Sequence, residues 1–427
     1  MGENFLQFIW KNCLVKSKNI KSTEDRNIEI IDVGTQNFDA GPDFMNSKIK
    51  IEGTLWAGSV EIHLKSSDWK KHNHHKNKAY DNVILHLVRF HDEKICRTNG
   101  ELIETAILDF DEKIWLNYDK LILSELKIPC QNKINMIENF VLDYWLNTLV
   151  FERLEQKSGI IRDSLDRNEN NWEETFYQKV AKNFGLKINT LPFEMLAKSL
   201  PMKYLGKHKN NLSQLEAMLF GQAGFLEEEI PDNKYYTGLK KEYGFLAKKF
   251  GLKPMKKHLW KFLRLRPQNF PTIRIAQFAM LIYKSSSLFS KVIESTTIDE
   301  LKTLFEVETS EFWKTHYVFE KDANKKNKKF GNMAISVLII NTVIPFLFVY
   351  GKSKNEESFQ NRAIDFLENM NPEKNSIISM WKSLGFSIQN AFDSQALLQL
   401  QNEYCSKKRC IECQIGNKLI VSKDEYY

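Results

Sequence analysis

Two acidic positions frame a short stretch in the first fifth of the chain: Asn37-Phe38-Asp39-Ala40-Gly41-Pro42-Asp43-Phe44 is followed by Val60-Glu61-Ile62-His63-Leu64-Lys65. Side chains alternate along a strand, so Glu61, His63 and Lys65 share one face while Val60, Ile62 and Leu64 turn toward a core. With Asp43 at or just before the preceding strand, its carboxylate approaches Glu61 across the pair, and two such charges repel unless a cation lies between them. Hard oxygen ligands suit Mg²⁺ or Mn²⁺, which keep water ligands and bridge to a phosphate. His63 is the favoured group to handle the attacking water near neutral pH, with Lys65 as a second source of charge. The other reading is a hairpin in which Asp43 caps a turn and Glu61 pairs with Lys65.

Six of the nine histidines lie between His63 and His91. His72 and His74 suit phosphate contact from a polar loop; with His75 and a carboxylate such as Asp81 they would also satisfy a first-row metal such as zinc. His86 lies on the face of Ile84 and Val88, where a core role competes evenly with a site role. A second signal closes the chain: Cys405, Cys410 and Cys413 fall within nine positions, close enough for three thiolates to share one soft metal, with a fourth ligand from elsewhere.

The elements that position these groups follow from periodicity. Apolar residues at 5, 6, 9, 10, 13 and 14 give an amphipathic helix. Ile28–Val33, Ser47–Ile51 and Trp56–Leu64 read as a three-stranded meander, Ser67 or Asp68 as a helix cap, and Val83–Val88 and Ile103–Leu108 as further strands. From Asn135 onward the spacing is helical, broken by Gly185, Pro192, Pro201, Pro231, Pro254, Pro267 and Pro271. Lys321–Lys329 reads as a solvated connector. The apolar run Met333–Tyr350 contains Asn341, which needs a protein partner, so it reads as a buried helix and not a membrane span.

The order α, β, β, β, α, β, with Pro42-Asp43 at the second strand and Glu61-Ile62-His63 on the third, resembles the PD-(D/E)xK nuclease superfamily. The resemblance implies an acidic pair, Asp43 and Glu61, that holds a catalytic metal together with the intervening carbonyl; the position of its lysine is occupied here by His63. More narrowly, Asp39-Ala-Gly-Pro-Asp-Phe, Val60-Glu-Ile-His, Ser67-Asp-Trp, His72-x-His74, Val83-Ile-Leu-His86, Arg266-Pro-Gln-Asn-Phe-Pro-Thr-Ile-Arg274, the stretch 341–351 and the terminal cysteines look like an uncharacterised bacterial family, domain of unknown function 2851. Some nucleases of the superfamily join one upstream cysteine to three C-terminal ones, and Cys130 resembles that upstream residue. The implied cofactor at Cys130, Cys405, Cys410 and Cys413 is a [4Fe-4S] cluster or Zn²⁺.

The length of 427 residues predicts more than one core, and 42% hydrophobic with 27% charged residues excludes a disordered or collagen-like chain. Six cysteines are too few for a disulfide scaffold, and the N-terminus has no secretory pattern, which points to the cytoplasm. The net charge of +7 permits a polyanionic partner, and its densest part is 240–274, with eleven Lys or Arg against Glu242 alone. Lys256, Lys257, Arg264, Arg266, Asn269 and Arg274 are its candidate nucleic-acid contacts, with interleaved aromatics to stack on bases. The fold expected is α+β: a restriction-endonuclease-like αβββαβ domain over 1–130, an all-α domain over 131–400, and a cysteine-cluster tail over 401–427. The expected function is a metal-dependent nuclease acting on DNA or RNA. The alternatives are an inactive nuclease-fold protein that binds nucleic acid, and a metal-stabilised interaction protein.

Overall fold

The computed structural model describes residues 1–230, 233–285 and 287–422; Pro231 and residues 423–427 of the expected tail lie outside this range. The chain is mixed α/β, with a sheet-rich N-terminal region followed by a largely helical one. It divides into two compact units, Met1–Trp145 with Gln401–Tyr427, and Leu146–Leu400.

The first unit opens with α1 (Glu3–Lys11), whose apolar stripe buries Phe5, Leu6, Phe8, Ile9 and Trp10. The Trp10 indole donates to the Val33 carbonyl (3.0 Å), which satisfies its one polar atom inside the core. Seven strands form one sheet: β1 (Asn19–Lys21), β2 (Asn27–Asp32), β3 (Thr35–Gln36), β4 (Phe44–Ile51), β5 (Thr54–Lys65), β6 (Val83–Phe90) and β7 (Thr105–Ile107). Their order is β1-β2-β4-β5-β6-β7, with β3 beside β4. The pairs β2/β4 and β4/β5 are antiparallel, whereas β5/β6 and β6/β7 are parallel. Six consecutive residues of β6, Val83 to Val88, are buried, as a strand covered on both faces requires. At Gly58 in β5 a Cβ would lie 2.6 Å from the Asn82 carbonyl, so only glycine lets β6 start this close.

A parallel pair needs a crossover, and here it is short: α2 (Asp68–Lys71) and the 3-10 turns His74–Lys76 and Lys78–Tyr80. Trp69 anchors it, fully buried with Tyr80, Val83, Ile95 and Ile103, and donates its indole N–H to the Cys96 carbonyl (3.1 Å). The described part of the C-terminal segment belongs to this unit. It packs near α3 (Glu112–Leu123), where Asn117 Nδ2 donates to the Ile420 carbonyl (3.2 Å) and Lys408 Nζ to the Ile122 carbonyl (2.6 Å).

The second unit is helical apart from the small pair His316–Val318 and Lys321–Asp322. Its segment Asn332–Lys354 is long and apolar enough to cross a membrane, and 67% of its apolar window is buried within the fold. Asn341 finds its partners inside the unit: it accepts from Lys157 Nζ (2.9 Å) and donates to Glu373 Oε1 (2.8 Å). Lys328, expected on a solvated connector, is instead buried, because its ammonium donates to the carbonyls of Trp313 and Lys314.

Candidate metal centre

The register of β4 on β5 pairs Phe44 with Val60, so Asp43, one residue earlier, falls opposite Glu61. The two carboxylates are tied through the backbone: the Asp43 N–H donates to Glu61 Oε2 (3.0 Å), and the Ile62 N–H to Asp43 Oδ2 (2.9 Å). Gln7 of α1 donates from Nε2 to Asp43 Oδ1 (2.8 Å), a link between the helix and the hairpin that residue type alone did not signal. Burial, and for Asp43 the nearby Glu61 charge, push both carboxyls up to about 7.

Three imidazoles converge on the same place. His63 from β5, His72 after α2 and His74 in the following turn bring donor atoms within 4.8 Å of one another. His63 Nε2 lies 3.1 Å from His72 Nδ1 and 3.4 Å from Glu61 Oε1, and His74 Nε2 lies 3.2 Å from the same oxygen. An ion with bonds of about 2.0–2.1 Å and tetrahedral ligands needs donor separations of about 3.3 Å, so these spacings match a first-row metal. Burial and the neighbouring imidazoles hold the His63 pKa down at about 3, and burial lowers that of His74, so both rings offer neutral lone pairs.

Behind His63 stands His86, paired with Glu61 in the β5/β6 register. His63 Nδ1 and His86 Nε2 are 2.9 Å apart, a contact that turns His63 Nε2 toward the cluster. His74 stacks on Tyr80 at 3.8 Å between ring centroids and meets Trp69 edge-on, which fixes its ring plane. His72 is exposed and opens the cluster to solvent.

The remaining candidates are placed apart from this cluster. Lys65 is exposed at the end of β5, two residues past His63, and Asp81 accepts from the Thr98 N–H and hydroxyl. A cleft of about 540 Å³ adjoins the centre through Gln7, with Asn4, Asn12, Gln36, Asn37, Gln414 and Asn417 also on its walls. Lys11 and Phe38 line it too, and the Lys11 ammonium lies over the Phe38 ring.

In the helical unit, Lys256, Arg264 and Arg266 are exposed, and Lys257 pairs with Glu228 (2.8 Å). Arg274 and Asn269 correct the expectation of a phosphate fork: Arg274 is buried, donates to Asn269 Oδ1 (2.7 Å) and Gln277 Oε1 (3.1 Å), and lies over the Phe330 ring. Its helix, Pro271–Lys284, is buried along most of its length, which turns a basic residue inward.

Cys130, Cys405, Cys410 and Cys413 are all buried in the first unit. Cys410 and Cys413 flank one 3-10 turn, where the Cys413 N–H donates to the Cys410 carbonyl (3.3 Å).

The chain thus has two compact units, and the sheet-rich one carries a group of three histidines that could hold a metal ion, with two carboxylates beside it. The family described as protein of unknown function (DUF2851) matches residues 3–376, and the chain belongs to it. No curated protein and no solved structure matches the chain.

Proposed function

We propose that the protein is a metal-dependent phosphodiesterase that cleaves nucleic acid in the cytoplasm, with its centre on β5 and the crossover that follows. The observation that carries this reading is the convergence of His63, His72 and His74, whose donor atoms lie within 4.8 Å of one another, with Glu61 Oε1 at 3.4 Å from His63 Nε2 and 3.2 Å from His74 Nε2. Asp43 stands beside them, already oriented by Ile62 and Gln7. With the short strands β1 and β3 set aside, the order α1, β2, β4, β5, α2, β6 supports the nuclease reading, because it follows the αβββαβ order that the PD-(D/E)xK resemblance implies.

Three imidazoles and a carboxylate favour Mn²⁺, Fe²⁺ or Zn²⁺ over Mg²⁺, which prefers oxygen. Such an ion would polarise a phosphoryl oxygen and lower the pKa of water. The chain's own residues do the positioning. Glu61, His63 and His74 would supply ligands from a dry wall, His72 would close the set from the solvent side, and Asp43 would remain as a carboxylate able to accept a proton or add a ligand. The carboxamides of the adjoining cleft suit base edges and Phe38 suits stacking, which supports an unpaired strand as substrate.

The test uses the full chain, stripped with chelator and reloaded with Mn²⁺, Zn²⁺ or Mg²⁺, on labelled single- and double-stranded DNA and RNA. Cleavage with Mn²⁺ or Zn²⁺, lost in Glu61→Gln, is the expected result. Equal inactivity of both proteins across all metals would overturn the enzymatic reading, and binding without turnover would leave a nucleic-acid-binding protein on a nuclease-like frame.

A further inference from the structure

The cleft beside the centre on β5 carries chemistry that the centre does not use. Its walls come from one face of α1, where positions 4, 7, 8, 11 and 12 follow helical spacing, from residues 36–38 and from residues 404–417, all within the first unit. Seven of the thirteen residues on these walls are Asn or Gln, so an occupant meets neutral donors and acceptors and few charges. Glu412 is already held by Arg409 through both carboxylate oxygens. Lys11 has no carboxylate partner among the described residues, and its ammonium lies 5.9 Å from the centroid of the exposed Phe38 ring. At about 540 Å³ the space falls within the range of small-ligand sites, about 300–1,000 Å³.

The carboxamides are not interchangeable, because several have one end committed. Gln7 Nε2 donates to Asp43 Oδ1 (2.8 Å), and Asn12 Nδ2 to the Phe8 carbonyl (2.9 Å). Carboxylate and carbonyl oxygens accept, which fixes both amide nitrogens and leaves each residue its oxygen for a ligand. Asn37 is spent on its own turn: Nδ2 donates to the carbonyls of Ala40 and Pro42, and Oδ1 accepts from the Asp39 N–H. Asn417 Oδ1 is buried and has no hydrogen-bond partner among the described residues. A buried acceptor left bare is costly, so a ligand that brings an N–H to it is favoured. The committed groups of the cleft thus offer acceptors, and they suit a flat ligand with N–H donors and an anionic group for Lys11.

We infer that the cleft binds a nucleobase bearing an exocyclic amino group, adenine, cytosine or guanine, and disfavours thymine and uracil; the inference rests on the phosphodiesterase reading for the strand that supplies the base. The amino N–H groups meet Asn417 Oδ1 and the Gln7 oxygen, Phe38 stacks on the ring, and Lys11 faces a phosphate. Thymine and uracil carry an oxygen at the ring position where cytosine carries its amine, which sets acceptor against acceptor. Asn4 and Gln414 are exposed and have no side-chain partner among the described residues, so they can turn a nitrogen to the acceptors of the base. Gln7 then joins the base to the centre through one amide, with its oxygen on the base and its nitrogen on Asp43.

The experiment is calorimetric titration of the full chain, kept in chelator so that no strand is cut. The probes are the tetranucleotides of deoxyadenosine, deoxycytidine and thymidine, and that of purine deoxyriboside, which differs from deoxyadenosine only in lacking the amino group. The expected result is an affinity for the adenine and cytosine strands about tenfold above that for the thymine and purine strands, as the loss of a donor to a buried acceptor implies. Asn417→Leu should bring all four to the thymine level, whereas Asn417→Asp, which keeps an acceptor there, should retain the preference. Should Asn417→Leu fail to fold, the comparison of adenine with purine strands on the wild type decides. Equal affinities for those two strands, or no binding of any of the four, overturns the inference. A parallel cleavage assay with Mn²⁺ separates the two readings. Cleavage without base preference in binding leaves the phosphodiesterase and removes the base site, and selective binding without cleavage does the reverse.

Discussion

His86 shows how much a single buried side chain decides. It touches no solvent, and its Nδ1 has no partner, so its one polar interaction is with His63 Nδ1. Burial drives its pKa well below the usual imidazole range, so the ring stays neutral. That contact holds the His63 ring with Nε2 toward Glu61 and His72, and outer partners of this kind are typically worth about 10–100-fold in metal affinity. His86→Phe retains an aromatic ring against Trp69, 5.5 Å away in the native protein, and deletes the ring nitrogen that meets His63. We expect metal affinity, read by competition with a chromogenic chelator, to fall by about that factor with the circular dichroism unchanged. An unaltered affinity would remove His86 from the centre and return it to the core.

Elements differ in how openly the sequence declares them. The stripe at Phe5, Leu6, Ile9 and Trp10 announced α1, and β-branched runs announced β2, β4, β5 and β6, because burial on one or both faces dictates those patterns. Asp43 and Glu61 were legible as a pair for the same reason, since hairpin pairing is local. Gln7 was not, because its contact with Asp43 depends on how α1 packs against the sheet, and neither was the partnership of His63 with His86, which needs the parallel β5/β6 register. Arg274 was misjudged for a related reason: spacing gives a helix but not which helix is covered on all sides. The helix Leu212–Gln222 is another such element, buried without interruption from Leu215 to Gln222, and it carries Glu216 inside. Burial pushes the Glu216 carboxyl up to about 7, against the opposing hydrogen bonds from Ser310 and Tyr235. The native state thus holds this proton more tightly than the unfolded chain, so stability is highest at low pH and declines as pH rises from about 4.5 to 7. The integrated loss is about 3 kcal/mol. Glu216→Gln keeps the size of the side chain and cannot ionise, so its urea midpoint should exceed that of the wild type at pH 8 and match it near pH 4.5. An equal midpoint at both values would mean that the carboxyl is solvated.

At the scale of the whole molecule, the charge excess of +7 is spread unevenly, and its densest stretch lies in the unit that does not carry the metal-type centre. Exposure sorts that stretch into solvent-facing and enclosed cations. Lys248, Lys249, Lys253, Lys256, Lys261, Arg264 and Arg266 are exposed, and Phe245 and Leu263 are exposed among them at 66% and 81%. Arg274 is enclosed, and Lys257 already has Glu228 as a partner. If this face contacts a phosphate backbone, each neutralised phosphate releases counterions and adds about 0.7–0.9 to the slope of log affinity against log salt. Arg264→Gln and Arg266→Gln should then each reduce that slope by roughly one phosphate's share, on any sequence and with the fold intact. Arg274→Gln should behave differently, lowering thermal stability through its lost contacts with Asn269 and Gln277 while the slope stays near that of the wild type. Fluorescence anisotropy with a labelled oligonucleotide from low to moderate salt reads all three. Slopes unchanged in both Arg264→Gln and Arg266→Gln would confine nucleic-acid contact to the sheet-rich unit, where the carboxamide cleft and Lys11 would have to provide it.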